Sequence, residues 1–144
     1  MDFFQINADA TLFVSSDIDD WHGIENRRIT VIVDMDGLID NVPTKPDHFL
    51  YVYYPIYDEQ LPDLDKLHAI SHMVANLSRS ETVLVHCQMG FNRSCLVMGV
   101  ALTYLGMSGR EAIDHLRSIR PGALFNENFA AYLETLPAAS LALT

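Results

Sequence analysis

Val83-Leu-Val-His-Cys-Gln-Met-Gly-Phe-Asn-Arg-Ser-Cys95 is the stretch whose reading decides the fold. Residues 82–85 are a short β-branched and apolar run, the pattern of a covered strand. A tight loop begins at Cys87. Residues 94–105 are apolar all round, as expected of a helix in the middle of a domain. The loop between strand and helix therefore brings its backbone N–H groups to a helix N-terminus, where unpaired donors and the helix dipole together favour an anion. Gly90 permits the backbone curl that an anion nest needs.

Cys87 lies inside that expected nest. A free thiol titrates at roughly 8.5, and a helix N-terminus or a nearby cation lowers this by several units. The sequence therefore points to a thiolate nucleophile at position 87. Arg93 offers a planar fork matched to two oxygens of a phosphate, which lysine matches less well. His86 is expected to order the loop by hydrogen bonding, and Ser94 to place its hydroxyl near the sulfur. The competing account is a buried structural cysteine, since cysteine is among the most buried residue types. His, Cys, Gly, Arg and Ser at fixed spacing between a strand and a helix favour the functional account.

His86-Cys87-x-x-Gly90-x-x-Arg93-Ser94 resembles the signature of the cysteine-dependent protein tyrosine phosphatase superfamily, and the compact length suggests its dual-specificity branch. The resemblance extends from about residue 11 to residue 136, leaving 137–144 as a tail of a single phosphatase domain. It implies catalytic roles for Cys87, Arg93, Ser94 and His86, and phosphate binding by the loop residues Gln88, Met89, Gly90, Phe91, Asn92 and Arg93. It implies neither metal nor cofactor.

The 144 residues suit one domain with one substantial core. Hydrophobic content of 49% and charged content of 19% describe a globular protein rather than a disordered one. No run approaches the roughly 18 apolar residues of a membrane span. The acidic Met-Asp-Phe-Phe start lacks a signal peptide's basic region, and the terminal Leu-Ala-Leu-Thr carries no lipidation signal. Cys87 and Cys95 form no secreted disulfide framework, so a reducing cytoplasm is expected. Cys95 reads as a core residue of the first helical turn, with a resolving thiol for oxidised Cys87 as the alternative.

Nine basic against 19 acidic residues give a net charge of −10. Such a field repels nucleic acid and anionic lipid, and the loop residues Gln88, Met89, Phe91 and Asn92 add no positive charge. Phosphoinositide and RNA substrates are disfavoured. A phosphorylated protein or peptide acted on by a monomer is the expectation.

Along the chain, residues 1–10 have no assignable structure. Residues 11–14 read as a strand, and the acids of 17–20 as the first turn of a short helix reaching Asn26. Residues 29–33 are the strongest strand of the first half. It ends at the turn cluster Asp34-Met-Asp-Gly37, and 38–48 are loop. Residues 49–54 form another strand, followed by Pro55-Ile-Tyr-Asp58. In the family an aspartate shortly after this strand protonates the leaving oxygen, and the resemblance places that general acid at Asp58. The crowd of Asp58, Glu59, Asp63 and Asp65 is expected to help one carboxyl stay protonated. Asp63 is the rival acid, though capping of the next helix explains it.

That helix spans 64–77, with Leu64, Leu67, Ile70, Val74 and Leu77 inward and His68 and His72 on a solvated polar face. The two histidines have the spacing of a helical metal pair but lack a committed third ligand. Gly106 suits a helix C-terminus. Ser108-Gly-Arg-Glu111 is a capping box opening a helix that ends at Arg120-Pro121. Asn126 caps a last helix with Phe129, Tyr132 or Leu133, and Leu136 inward. Arg120 either holds the catalytic loop or sits in a surface salt bridge.

Alternating strands and helices predict an α/β domain with a mostly parallel central sheet flanked by helices, the loop at Cys87 lying at the C-terminal end of a central strand. The expected reaction is hydrolysis of phosphotyrosine, and of phosphoserine or phosphothreonine, through a cysteinyl phosphate. The alternatives are a catalytically silent phospho-binding module of the same fold, and a thiolate-loop sulfur transferase or arsenate reductase.

Overall fold

The computed structural model describes residues 1–43 and 45–141. Thr44, in the loop expected over 38–48, and residues 142–144 of the expected tail lie outside the described residues. The strands are β1 (Phe3–Gln5), β2 (Leu12–Ser15), β3 (Ile29–Asp34), β4 (Leu50–Tyr53) and β5 (Thr82–His86). The helices are α1 (Trp21–Asn26), α2 (Leu64–Leu77), α3 (Arg93–Tyr104), α4 (Gly109–Ile119) and α5 (Glu127–Glu134).

Side chains alternate across a strand, so a sheet with two apolar faces needs cover on both. Leu12, Val14, Val31, Val33, Val83 and Val85 face one way and join the main core with residues of α2 to α5. Phe13, Ile32 and Leu84 face the other way and pack with Ile24 of α1 and Ile29. Helix α3, buried from Ser94 to Thr103, lies in the middle of the larger layer. The sheet order is β1-β2-β5-β3-β4. β2, β5, β3 and β4 run parallel, and β1 pairs antiparallel to β2 at one edge. The expected mostly parallel sheet is present, with β5 at its centre. The addition is β1, placed where residues 1–10 offered no pattern. Three residues are too few to display a period, and Phe3 to Gln5 are set by pairing with Phe13 to Ser15.

The register positions the site. Ser15 pairs with His86, His86 with Asp34, and Asp34 with Tyr53. All four parallel strands therefore end level, and their following loops gather at one edge, the usual place for ligands in such sheets.

Several local expectations need adjustment. Asp20 caps α1 by accepting from the Gly23 N–H at 2.8 Å, so the acids of 17–20 precede that helix rather than form its first turn. Leu64 is 42% exposed and does not join the inward face of α2, because the first helical turn projects beyond the layer. His68 does not sit on a solvated face. Its Nδ1 and Nε2 lie 2.8 and 2.5 Å from the hydroxyls of Tyr104 and Tyr132, bridging α2 to α3 and α5. Periodicity placed it opposite the sheet, yet two later helices cover that side. The capping box of Ser108 and Glu111 and the Asn126 cap are both formed.

Candidate active site

Everything at the level edge of the sheet turns on which way the peptide groups of the loop after β5 point. Gln88 O accepts from the Asp17 N–H at 3.3 Å and Phe91 O from the Leu124 N–H at 2.9 Å. Met89 O accepts from Arg120 Nη2 at 3.1 Å, and Gly90 O faces the Cys95 thiol at 3.9 Å. In a trans peptide the N–H opposes the C=O, so carbonyls anchored outward turn the N–H groups of residues 89–92 toward the loop's centre. The Gly90 N–H donates to Cys87 Sγ at 3.3 Å, as that geometry requires. Gly90 has φ +75°, and a Cβ there would stand 3.0 Å from the Ser15 carbonyl carbon and the Ser16 nitrogen. Only glycine fits without strain.

Cys87 is 2% exposed, at the floor of the loop. Ser94 Oγ lies 3.2 Å from its sulfur, on the first turn of α3. The sulfur thus meets the Gly90 N–H, the Ser94 hydroxyl and the N-terminal end of a buried helix. Cys95 is a core residue whose thiol is pushed up to about 12 by burial and by the neighbouring Cys87.

Arg93 reaches from the same helical turn toward the loops after β3 and β4. Its Nη1 donates to Ile56 O at 3.3 Å and Met35 O at 3.4 Å, and lies 3.8 Å from Asp36 Oδ1. These are long bonds at the weak end of the range. With Asp36, Tyr53, Tyr57 and Asp58 it lines a cavity of about 530 Å³. Charge, planar fork and room for a tetrahedral anion are all present there.

Asp58 is fixed by amides. Its Oδ2 accepts from Asn92 Nδ2 at 2.9 Å and its Oδ1 from Asn126 Nδ2 at 2.8 Å. Asn126 Nδ2 and Asn128 Nδ2 also donate to Glu59 O, pinning the acid-bearing loop to the start of α5. The direct side-chain partners of Asp58 are these amides rather than the neighbouring carboxylates of Glu59, Asp63 and Asp65. Asp63 caps α2 by accepting from the Lys66 N–H at 3.0 Å.

His86 is fully buried, and its carbonyl accepts from the Met35 N–H at 2.8 Å. Its Nε2 lies 2.6 Å from Asp40 Oδ2 and 3.7 Å from Asp34 Oδ1. Asp34 in turn accepts from the Tyr51 hydroxyl and, at 2.8 Å, from the Asp36 N–H. Burial opposes the charged imidazole, but the Asp40 hydrogen bond and the charges of Asp40, Asp34 and Asp17 outweigh it and raise the His86 pKa. Asp17 rises to about 6 through burial and then the hydrogen bond and charge of Asp36. Ligand atoms of Asp34, Asp40 and His86 lie within 4.8 Å of one another, and the His86–Asp40 hydrogen bond, with the Tyr51 hydroxyl that donates to Asp34 and accepts from the Asp40 N–H, accounts for their proximity.

The structure therefore brings together Cys87, Arg93, Ser94, Asp58 and the backbone of Gln88, Met89, Gly90, Phe91 and Asn92, with His86 behind them. Sequence reading missed Asn126 as the second partner of Asp58 and the acidic group Asp17, Asp34, Asp36 and Asp40. Arg120 holds the loop through Met89 O and lies over the Phe91 ring at 3.7 Å, one of the two roles foreseen for it.

Fold and site define a strand, cysteine-loop, helix domain of the phosphatase kind. Residues 12–136 match the family model "Dual specificity phosphatase, catalytic domain", and the chain belongs to that family. Human protein phosphatase Slingshot homolog 3 is 31% identical over 114 residues, which are 77% of this chain and 17% of that protein. Rat cyclin-dependent kinase inhibitor 3 is 35% identical over 98 residues, 58% of this chain and 46% of that protein. The chain thus spans less than half the length of these relatives. Among solved structures, DUSP15 superposes with a TM-score of 0.79 at 19% identity, covering 92% of this chain and 85% of that one. The active form of Tk-PTP superposes with a TM-score of 0.71 at 25% identity, covering 92% and 96%. No helix among the described residues is long and apolar enough to cross a membrane.

Proposed function

We propose that this domain hydrolyses phosphomonoesters on proteins in two steps, with phosphotyrosine and phosphoserine or phosphothreonine as substrates. Cys87 sulfur attacks phosphorus in line, and the bond to the leaving oxygen breaks as Asp58 delivers its proton to that oxygen. Arg93 and the inward N–H groups of residues 89–92 hold the equatorial oxygens as charge spreads over them. Asp58, now ionised, takes a proton from water. That water attacks the cysteinyl phosphate, the P–S bond breaks, and Ser94 supports the departing sulfur. Inorganic phosphate leaves. His86 positions the strand end that carries Cys87, through its bond to Asp40.

The observation that supports this most is the pair of contacts on one sulfur, Gly90 N at 3.3 Å and Ser94 Oγ at 3.2 Å, beside the Arg93 cavity. A silent phospho-binding module has no need of a solvated acid opposite the loop, and the chain carries Asp58 there. The test is release of p-nitrophenol from p-nitrophenyl phosphate. The wild-type protein turns over, and Cys87→Ser abolishes turnover while its circular dichroism and melting temperature stay close to wild type. Full activity in Cys87→Ser ends the reading.

A further inference from the structure

A second cavity, of about 470 Å³, adjoins the first across the wall formed by Pro55, Ile56 and Tyr57. Its lining is mostly apolar, Leu61 and Pro62 joining Tyr57, and the exposed Glu59 and Asp63 also line it. Tyr57 itself is 83% exposed, so its ring is free to contact an incoming chain on either side. Lys66 is the one cation among the residues lining this cavity.

Taken together, the two cavities carry Asp36, Asp58, Glu59 and Asp63 against Arg93 and Lys66. A phosphomonoester brings about two negative charges to that lip, on a chain whose net charge is already −10. Arg93 and the loop N–H groups answer the phosphate itself. Lys66 alone answers an acidic flank there, against two exposed carboxylates, Glu59 and Asp63, that a flanking carboxylate would also meet. A flanking cation has the opposite experience. The aliphatic stem of lysine or arginine prefers apolar contact while its head prefers charge and water. An apolar groove rimmed by two carboxylates meets both needs, and the Tyr57 face adds a cation–π contact.

We propose that the groove between Tyr57 and Pro62 seats a lysine or arginine side chain of the substrate, adjacent to the phosphorylated residue, and that the domain selects basic phosphopeptides. The proposal rests on the phosphatase reading above and adds the substrate class. The groove lies on the other side of the Pro55–Tyr57 wall from the Arg93 cavity, so one extended peptide that crosses Tyr57 reaches both. The phosphoresidue enters beside Arg93 and its neighbour crosses Tyr57.

The experiment uses phosphopeptides identical except for the flanking residues, which are lysine and arginine, glutamine, or glutamate and aspartate. Specificity constants are measured at low and high salt for the wild type and for Glu59→Gln/Asp63→Asn. Asparagine caps a helix as well as aspartate does, so this variant removes charge and keeps the α2 cap. Each value is divided by the same protein's p-nitrophenyl phosphate turnover. Several exposed charge pairs, each worth a few-fold, predict roughly a tenfold preference for the basic over the acidic peptide at low salt. That preference shrinks at high salt and falls several-fold in the double variant. An acidic peptide processed equally or better overturns the proposal, as does a preference that the double variant retains in full. Binding of the same peptides to Cys87→Ser gives a second reading free of turnover. Were the wild type inert toward every peptide and p-nitrophenyl phosphate, the phosphatase reading alone would fall, and the binding preference would still decide this one.

Discussion

Asn92 Nδ2 donates to Asp58 Oδ2 at 2.9 Å, joining the last residue before α3 to the loop that follows β4. Asn92 is 2% exposed, and its Oδ1 accepts from the Asn126 N–H at 2.9 Å. One buried amide therefore ties together the cysteine loop, the loop bearing the acid and the start of α5. A proton donor works only when held within hydrogen-bond reach of the leaving oxygen. In the proposed mechanism Asn92 and Asn126 supply that restraint to Asp58 from two different elements.

Replacing Asn92 by alanine frees Asp58 on one side and leaves the Asn126 N–H without its partner. Catalysis with phosphotyrosine peptides is expected to drop in kcat by about tenfold, part of the 10²–10⁴-fold that a general acid contributes. KM changes little. The double variant Asn92→Ala/Asp58→Ala is expected to be no slower than Asp58→Ala, because residues acting through one group are not additive. Additive losses would show that Asn92 acts through the shape of the cysteine loop instead.

Asp58→Ala tests the acid itself. The loss of kcat is expected to reach at least 10²-fold for phosphotyrosine, a poor leaving group with a phenol that titrates near 10. It is expected to be smaller for p-nitrophenyl phosphate, whose more acidic phenol departs with less help. The descending limb of the pH–rate profile disappears in the variant. Equal losses for both substrates, or an intact limb, would remove Asp58 from this role. Asp63 is poorly placed to inherit it, since its carboxylate caps α2.

The cysteine loop was legible in the sequence because its parts are contiguous. A covered strand, a glycine at the curl and an apolar helix over residues 83–105 leave few ways to fold locally. The helix caps at Ser108 and Asn126 were legible for the same reason. Asp58 emerged only through family resemblance, since its partner Asn126 lies 68 residues away. The pairing of His86 with Asp40, across 46 residues, left no local trace. Asp34-Met-Asp-Gly37 read as a turn, and the turn is real, but Asp34 also faces the buried imidazole. Edge strand β1 and the tyrosine partners of His68 depended likewise on contacts that no window of sequence contains.

Gly90→Ala is expected to damage catalysis more than folding. The positive φ of +75° is strained for any residue with a Cβ, by roughly 1–2 kcal/mol. The added carbon also meets backbone of Ser15 and Ser16 at 3.0 Å, and backbone yields less readily than a flexible side chain. The loop would shift to relieve both, moving the N–H that contacts Cys87 Sγ. The specificity constant for p-nitrophenyl phosphate is expected to fall at least tenfold, with a melting temperature lowered by only a few degrees. Wild-type kinetics in Gly90→Ala would mean that the curl at this residue is dispensable.

The buried pair of His86 and Asp40 gives stability a pH dependence whose sign follows from the raised His86 pKa. A raised histidine pKa means that the folded protein holds the proton more tightly than the unfolded chain, whose histidines titrate near 6.5. The stabilisation is complete below about pH 6.5 and is lost as pH climbs through the higher folded value. Asp40→Ala removes the nearest partner, at 2.6 Å, and leaves Asp34 at 3.7 Å. Breaking a buried ion pair on one side destabilises by about 3 kcal/mol, so denaturant midpoints of the variant should fall well below wild type at pH 6. As pH climbs through the folded value and the wild-type imidazole sheds its proton, the gap should narrow. A gap that does not depend on pH, together with a ring that shows no raised titration, would mean that His86 stays neutral in the fold and that the contact with Asp40 is an ordinary hydrogen bond. Titrating the His86 ring protons by NMR makes the second of these measurements.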